Sequence, residues 1–188
     1  MPKKKNLKDS LSENDLQAMW EIKAHEGFEA DEDGMFIPYE DSEGHLTIGY
    51  GHLVDEGEDY LDKMTPEQAD ELFVEDYIYH RNKASEMPGW DKATDTQKRG
   101  LINLAFNMGP NWYKTDKEAG RKGFPKFNAA VKKGDWNAAA DELVDSKWYR
   151  QVGERGKDVV DLIRPEPPQR YVFRGGGLIR DAYGRNLI

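Results

Sequence analysis

Three side chains stand out for the chemistry they could share: Glu26, Asp41 and Thr47. Two carboxyl groups and a hydroxyl, set around turn residues, suit hydrolysis in which one carboxyl donates a proton and the other activates a water. Glu26 falls near the end of a predicted helix, where the macrodipole presents partial negative charge and disfavours an ionised carboxylate. Burial beside Trp20 or Phe28 would act in the same direction. A carboxyl that keeps its proton near neutral pH is what a general acid requires. Asp41, in a polar turn, could stay ionised as a base; it is equally a turn-former that hydrogen-bonds its own backbone. Thr47 is an ordinary strand residue, and its functional reading is to hold a water together with Asp41.

These residues lie in one stretch, Glu26 to His52. It runs through an acidic turn, an apolar run (Met35, Phe36, Ile37), a second turn (Asp41-Ser42-Glu43-Gly44) and a β-type segment from Leu46 to His52. Gly49 and Gly51 flank Tyr50, a pattern that marks backbone packed close to something else.

The elements around the stretch are helical. Ser12, with Asp15 three residues on, is a capping-box start, and Gly27 is placed to cap that helix at its C-terminus. Residues 1–11 read as loosely held and 55–64 as a loop. Thr65-Pro66-Glu67 opens a long helix to about Met87, with Ala69, Leu72, Phe73, Tyr77, His80 and Ala84 on one face. Thr94 opens another, apolar on most sides from Leu101 to Met108, that belongs at the centre of a second lobe. Shorter helices follow at 125–133, 136–146 and 154–163, the last ending before Pro165. Pro165, Pro167 and Pro168, then Gly175-Gly176-Gly177, read as an extended tail over 165–188. The expected fold is therefore α+β and mostly α. Residues 1–64 form a small β-hairpin lobe with the first helix, residues 65–164 a linking helix and a larger helical lobe, and a cleft lies between them.

Bulk properties narrow the function. The 188 residues suffice for one domain with a real core. There is no cysteine, so no disulfide framework and no thiol nucleophile. A net charge of −9 argues against nucleic acid as a partner. No apolar run is long enough to span a membrane, and no apolar segment follows the basic N-terminus as in a signal peptide. Glu29, Asp31, Asp33, Gly34 and Glu40 match the ligand spacing of an EF-hand loop. Glu stands at its first position, however, and a strand rather than a helix should follow, so no metal is assigned.

Glu26-Gly27, then Tyr39-x-Asp41-x-Glu43-Gly44, then Leu46-Thr47-Ile48-Gly49-Tyr50-Gly51-His52-Leu53 resembles the active-site signature of phage-type lysozymes, the muramidases of T-even and lambdoid bacteriophages. Ile102-Asn103-Leu104-Ala105-Phe106-Asn107-Met108-Gly109 resembles that family's central helix. Asp135-Trp136-Asn137, Ser146-Lys147-Trp148-Tyr149 and Arg155 resemble its C-terminal helices. The likeness covers roughly residues 13–164.

The resemblance implies a peptidoglycan hydrolase that cleaves the β-1,4 bond between N-acetylmuramic acid and N-acetylglucosamine, by an inverting course and without a cofactor. It implies Glu26 as the acid, Asp41 as the second carboxylate and Thr47 as the hydroxyl that helps place the water. His52 and Arg155 would support the site, Arg155 by pairing with Glu26, and Asn107 would be a cleft amide that binds sugar. The favoured role is a monomeric endolysin for host cell lysis, held in the host cytoplasm; with no apolar N-terminal segment, its export would depend on a separate holin. Alternatives are a virion tail-associated lysozyme used at infection and a non-catalytic peptidoglycan-binding module. An initiating Met and a single catalytic domain favour the endolysin; the acidic balance and the Pro/Gly tail favour the virion part. One departure is the fourteen residues between Glu26 and Asp41, more than the family usually carries, with the excess at Glu29–Gly34 on the expected cleft rim.

Peptidoglycan is anionic, and a chain at −9 has no global attraction to screen. Between ~0.01 and ~0.15 M salt the Debye length falls from ~30 to ~8 Å. Over that range the lytic rate, followed by turbidity, should fall less steeply than for a basic lysozyme. A steep loss would contradict this.

Overall fold

The computed structural model describes residues 7–41, 44–55, 58, 62–118, 120 and 122–165. Among them are seven α-helices: α1 (Glu13–Lys23), α2 (Pro66–Ser85), α3 (Asp95–Met108), α4 (Pro125–Lys133), α5 (Trp136–Val144), α6 (Lys147–Gln151) and α7 (Glu154–Ile163). Three short strands, β1 (Tyr39–Glu40), β2 (Leu46–Ile48) and β3 (His52–Leu53), form an antiparallel sheet in the order β1-β2-β3. The expected α+β, mostly helical fold is what the chain adopts.

Local chemistry explains where the helices begin. Ser12, Thr65 and Thr94 each accept a backbone N–H of the first turn, and the third residue of each helix (Asp15, Gln68, Gln97) returns a bond to the cap, closing three capping boxes. Each cap is worth about 1 kcal/mol. Asp15 goes further. Burial works against its charge, but bonds from Ser12, Tyr77 and Arg81 outweigh it and hold its carboxyl down at about 2. The Tyr77 hydroxyl donates to it at 2.7 Å and so ties α1 to α2.

Two apolar clusters share the linking helix. The large one fills the helical lobe, from Ile22 and Phe73 through Leu101 and Leu104 to Leu143 and Ile163. The small one lies under the sheet and contains Phe36, Ile48, Met64, Ala69 and Leu72. α2 gives Ala69 and Leu72 to the small cluster, Phe73 and Tyr77 to the large one. Tyr50 packs against both. This double membership is why one helix can join the lobes.

Several expectations are corrected. Helix α1 ends at Lys23 with Ala24 as its cap, not at Gly27, whose φ is not positive. The chain leaves the helix before it reaches Glu26. The strand expected over Phe36-Ile37-Pro38-Tyr39 begins only at Tyr39, and Phe36 makes single bridges to Ala30 and Met64. The Leu46–His52 segment is two strands, because Gly49 (φ 64°) and Gly51 (φ 87°) turn the chain between β2 and β3. Met64, read as part of a loop, is buried. Helix α5 stops at Val144, and Ser146 caps the separate helix α6. A 3-10 turn at Leu7–Ser10 packs near α2, and another spans Trp90–Lys92. Residues 1–6, Ser42, Glu43 and the tail from 166 lie outside the described residues.

Gly89 follows α2 at φ 100°, and a Cβ there would sit 2.5 Å from the Val131 carbonyl oxygen. Both the backbone region and the clash are closed to alanine. Gly89→Ala should therefore cost at least ~2 kcal/mol, read by denaturant unfolding. A shift within ~0.5 kcal/mol would mean that the backbone there yields.

Candidate active site

The site is built where the segment after α1 crosses α7. His25 Nε2 lies 3.1 Å from Asp158 Oδ2, and Glu26 Oε1 accepts from Arg155 Nη1 at 2.7 Å. Two consecutive residues are thus stapled to one face of α7. Helix α7 buries Arg155, Gly156, Val159, Val160 and Ile163. Arg155 is only 6% exposed, and its Nε donates to Asn103 Oδ1 on α3 at 2.8 Å. Its other terminal nitrogen, Nη2, is buried and meets no protein acceptor among the described residues.

Glu26 is part-exposed and does not rest in an apolar pocket of Trp20 and Phe28, as the sequence suggested. Those side chains are 68% and 55% exposed. On its other side is the β2–β3 turn. A Cβ added to Gly51 would lie 3.1 Å from Glu26 Oε2, so the glycine leaves room for the carboxyl. This is the close approach that the Gly-Tyr-Gly pattern announced, though only Gly51 makes it. Gly49 is needed for its turn, since its Cβ would only touch Ala69 at 3.8 Å.

Asp41 follows β1. Its Oδ1 accepts the His45 backbone N–H at 2.9 Å, and the His45 imidazole lies 3.5 Å from Oδ2. The turn-forming use of Asp41 is realised, and its side chain is still 29% exposed. Thr47 is buried, donates to the His45 carbonyl at 3.1 Å, and stands opposite Tyr39 in the β1–β2 ladder. A hydroxyl that donates to a carbonyl keeps lone pairs with which to accept. Tyr39 was assigned no role from sequence, yet it bridges the parts: its hydroxyl donates to the Gly27 carbonyl at 3.4 Å. Burial, and then the charges of Glu26, Asp41 and Glu29, push its phenol pKa up, so it stays a donor.

His52 pairs with two carboxylates other than Glu26. Its Nδ1 lies 3.0 Å from both Asp76 oxygens on α2, and its Nε2 lies 3.1 Å from Glu58. Burial opposes its charge, but the two carboxylates prevail and raise it to about 9. The imidazolium thereby fastens β3, and with it the Gly51 turn, to the linking helix. Asn107, near the end of α3, is exposed, and its Oδ1 accepts from Trp148 Nε1 at 2.6 Å. One end of the amide is committed to α6.

Besides Tyr39, three positions were missed. Asn103 is a polar residue between Ile102 and Leu104 on the buried face of α3, and that misplaced polarity was a readable signal. Asp76 and Glu58 carried none, because nothing local marks which of thirty-six acids meets a histidine. At the loop of the EF-hand spacing, the Asp31 carboxylate accepts the backbone N–H groups of Asp33 and Met35, each at 3.0 Å, and pairs with Lys63. Its oxygens close a turn instead of facing a common centre. No group of three or more His, Asp or Glu suited to a metal occurs among the described residues.

A small sheet and a helical bundle joined by one helix, with a carboxylate–arginine pair where they meet, define a two-lobed α+β protein of the lysozyme type. The phage lysozyme family profile matches residues 23–164, and the chain belongs to that family. At family level this is a peptidoglycan-hydrolysing glycosidase. The chain is 29% identical over 154 residues to the pre-baseplate central spike protein Gp5 of Enterobacteria phage T4, covering 66% of this chain and 24% of that protein. It is 25% identical over 150 residues to probable T4-type lysozyme 1 of Dictyostelium discoideum, covering 66% of this chain and 84% of the relative. Probable T4-type lysozyme 2 of the same amoeba is 24% identical over 158 residues, covering 71% and 88%. The chain thus spans about a quarter of the spike protein and most of each amoebal relative.

The His52 clasp has a defined pH dependence. Its pKa is raised from 6.5 to about 9, so its stabilisation is fully present below about 6.5 and is lost as pH rises through about 9. The shift corresponds to roughly 3 kcal/mol at full strength. Compared by denaturant unfolding, His52→Asn should be less stable than wild type at pH 6, with the gap closing by pH 10. A gap of equal size at both pH values would show that His52 is held by packing instead of charge.

Proposed function

We propose that this chain is a muramidase that hydrolyses the β-1,4 bond between N-acetylmuramic acid and N-acetylglucosamine. The observation that carries the proposal is the Glu26–Arg155 pair at 2.7 Å, formed across the junction of the lobes beside a glycine turn that leaves room for the carboxyl. Glu26 donates a proton to the glycosidic oxygen as the bond to the anomeric carbon breaks. Asp41 takes a proton from a water that attacks the opposite face, and the Thr47 hydroxyl helps to hold that water. This is a single displacement with inversion, which requires carboxyls ~6.5–9.5 Å apart.

The remaining residues serve these. Arg155 orients Glu26 and, through Nη2, keeps one donor for an oxygen in the cleft. His52 holds the β2–β3 turn, and Asn107 offers its free amide hydrogens to sugar. Such chemistry calls on carboxyl groups and water, with no cofactor. A non-catalytic binder would have no use for the set of Glu26, Asp41 and Thr47.

For the biological setting we favour a monomeric endolysin that degrades the host wall at release. It would wait in the host cytoplasm and reach the periplasm through a separate holin. A second reading, a virion lysozyme that opens the wall at infection, draws support from the likeness to the phage T4 spike protein. Detection of the chain in purified virions would decide for the second.

Glu26→Gln should lose ~10²–10⁴-fold of the clearing rate on permeabilised Gram-negative cells, with its melting temperature little changed, because the amide keeps the shape but delivers no proton. Asp41→Asn should be similarly impaired. Mass spectrometry of wild-type products should show reducing N-acetylmuramic acid ends. Wild-type turnover in Glu26→Gln, or cleavage elsewhere, would refute the mechanism.

A further inference from the structure

Phe28 combines two features: its ring meets other rings on one side, and the residue as a whole is 55% exposed. Its centroid is 5.0 Å from that of Phe36, which is buried at 4%, and 5.8 Å from that of Tyr50 in an edge-on contact. Phe36 and Tyr50 also meet each other, and the ladder continues from Tyr50 to Phe73 on α2 at 5.6 Å and from Phe73 to Phe106 on α3 at 5.4 Å. The exposed ring is the outer end of an aromatic row anchored in both lobes, so little conformational freedom remains to be lost on binding.

Its place bears on the site. Tyr50 is the centre of the β2–β3 turn, and the next residue, Gly51, is the one that makes room for Glu26. Phe28 and Glu26, two residues apart, therefore rest on the same turn. We propose that Phe28 is a carbohydrate platform, whose free face takes the C–H face of one N-acetylglucosamine ring beside the bond that Glu26 protonates. The proposal builds on the glycosidase reading given above and adds to it a stacking subsite and the sugar that fills it.

Two observations select this occupant. One ring is far too small for a protein partner, which needs ~800 Å² on its side of an interface. A single pyranose matches it in size. The chain also runs directly from Phe28 into Glu29, Asp31, Glu32 and Asp33, of which Glu29, Glu32 and Asp33 are exposed. Their field opposes an anionic group but does not oppose a neutral sugar. In the wall polymer the lactyl group of N-acetylmuramic acid is amide-linked to a peptide stem that carries its own carboxylates; N-acetylglucosamine carries neither stem nor charge. The acidic insert and the bare ring together favour the uncharged sugar.

The test uses neutral N-acetylglucosamine oligomers and the full chain. Covering the exposed ring face removes ~50 Å² of apolar surface from water, which predicts about tenfold weaker binding in Phe28→Leu. Phe28→Tyr, which keeps a flat ring, should bind as wild type does. In wild-type protein the Phe28 ring proton resonances should shift on titration with the oligomer, a readout that survives if Phe28→Leu does not fold. Equal affinity of wild type and Phe28→Leu, or unmoved Phe28 resonances, would overturn the platform. Peptidoglycan turnover by wild type, measured in parallel, tests the glycosidase reading separately. Binding that depends on Phe28 without turnover would keep the platform and remove the hydrolase. Turnover with no dependence on Phe28 would do the reverse.

Discussion

A buried guanidinium sets the terms for this molecule. Arg155 is surrounded by the helical lobe, and burying its charge is costly unless partners meet it. Asn103 meets Nε from inside the lobe, and Glu26 meets Nη1 from the segment that leads into the sheet. That second partner comes 129 residues earlier in the chain. The pair therefore reconciles two needs: the arginine needs a carboxylate, and the carboxylate needs a fixed position at the junction of the lobes. His25 and Asp158 repeat the crossing one residue away, with more solvent around them and correspondingly less strength.

The lobes themselves depend on α2 and on the rings that cross it. A sheet of three strands, none longer than three residues, cannot sustain itself in water. It persists here because Ile48, Phe36 and Met64 pack on the Ala69–Leu72 face of α2 and because Tyr50 reaches through to the large cluster. Lys23 lies over the Tyr50 ring at 3.9 Å and pairs with Asp70 on α2, adding a charged clamp to the aromatic one. Asp76 and Glu58 hold His52 from the other side of the turn. The turn bearing Gly51 is thus pinned by packing and by charge, which suits a segment that must stand close to a carboxyl without drifting into it.

The acidic surface and the site are separate matters. The carboxylates of the Glu29–Gly34 insert stand near the rim of the site, where Asp31 is taken up by its own turn and by Lys63. Inside, the positive charge of Arg155 is met at once by Glu26. A protein with this distribution has little long-range pull on an anionic polymer and must gain its affinity from short-range contacts.

Much of this protein was legible in the order of its residues. The capping boxes at Ser12, Thr65 and Thr94, and the stop at Pro165, are local events within one helical turn, so composition and spacing were enough to place those ends. The Glu26 to His52 pattern, and the family it belongs to, could be read for the same reason: chemistry that needs particular side chains in a particular order leaves them in the chain. Elements that owe their form to distant contacts could not be read. Phe36 forms isolated antiparallel bridges to Ala30 and to Met64 and stays outside the three-stranded sheet. Glu26 lies beyond the end of α1, so its partner is a guanidinium from α7 in place of the helix dipole and the apolar pocket expected from its neighbours. The choice of Asp76 and Glu58 for His52, and of Asn103 for Arg155, was likewise made only by folding. Hydrogen bonds and ion pairs act over a few ångströms in space with no regard for separation along the chain, so the local sequence marks the groups that need partners, and only the tertiary structure decides which partners they find.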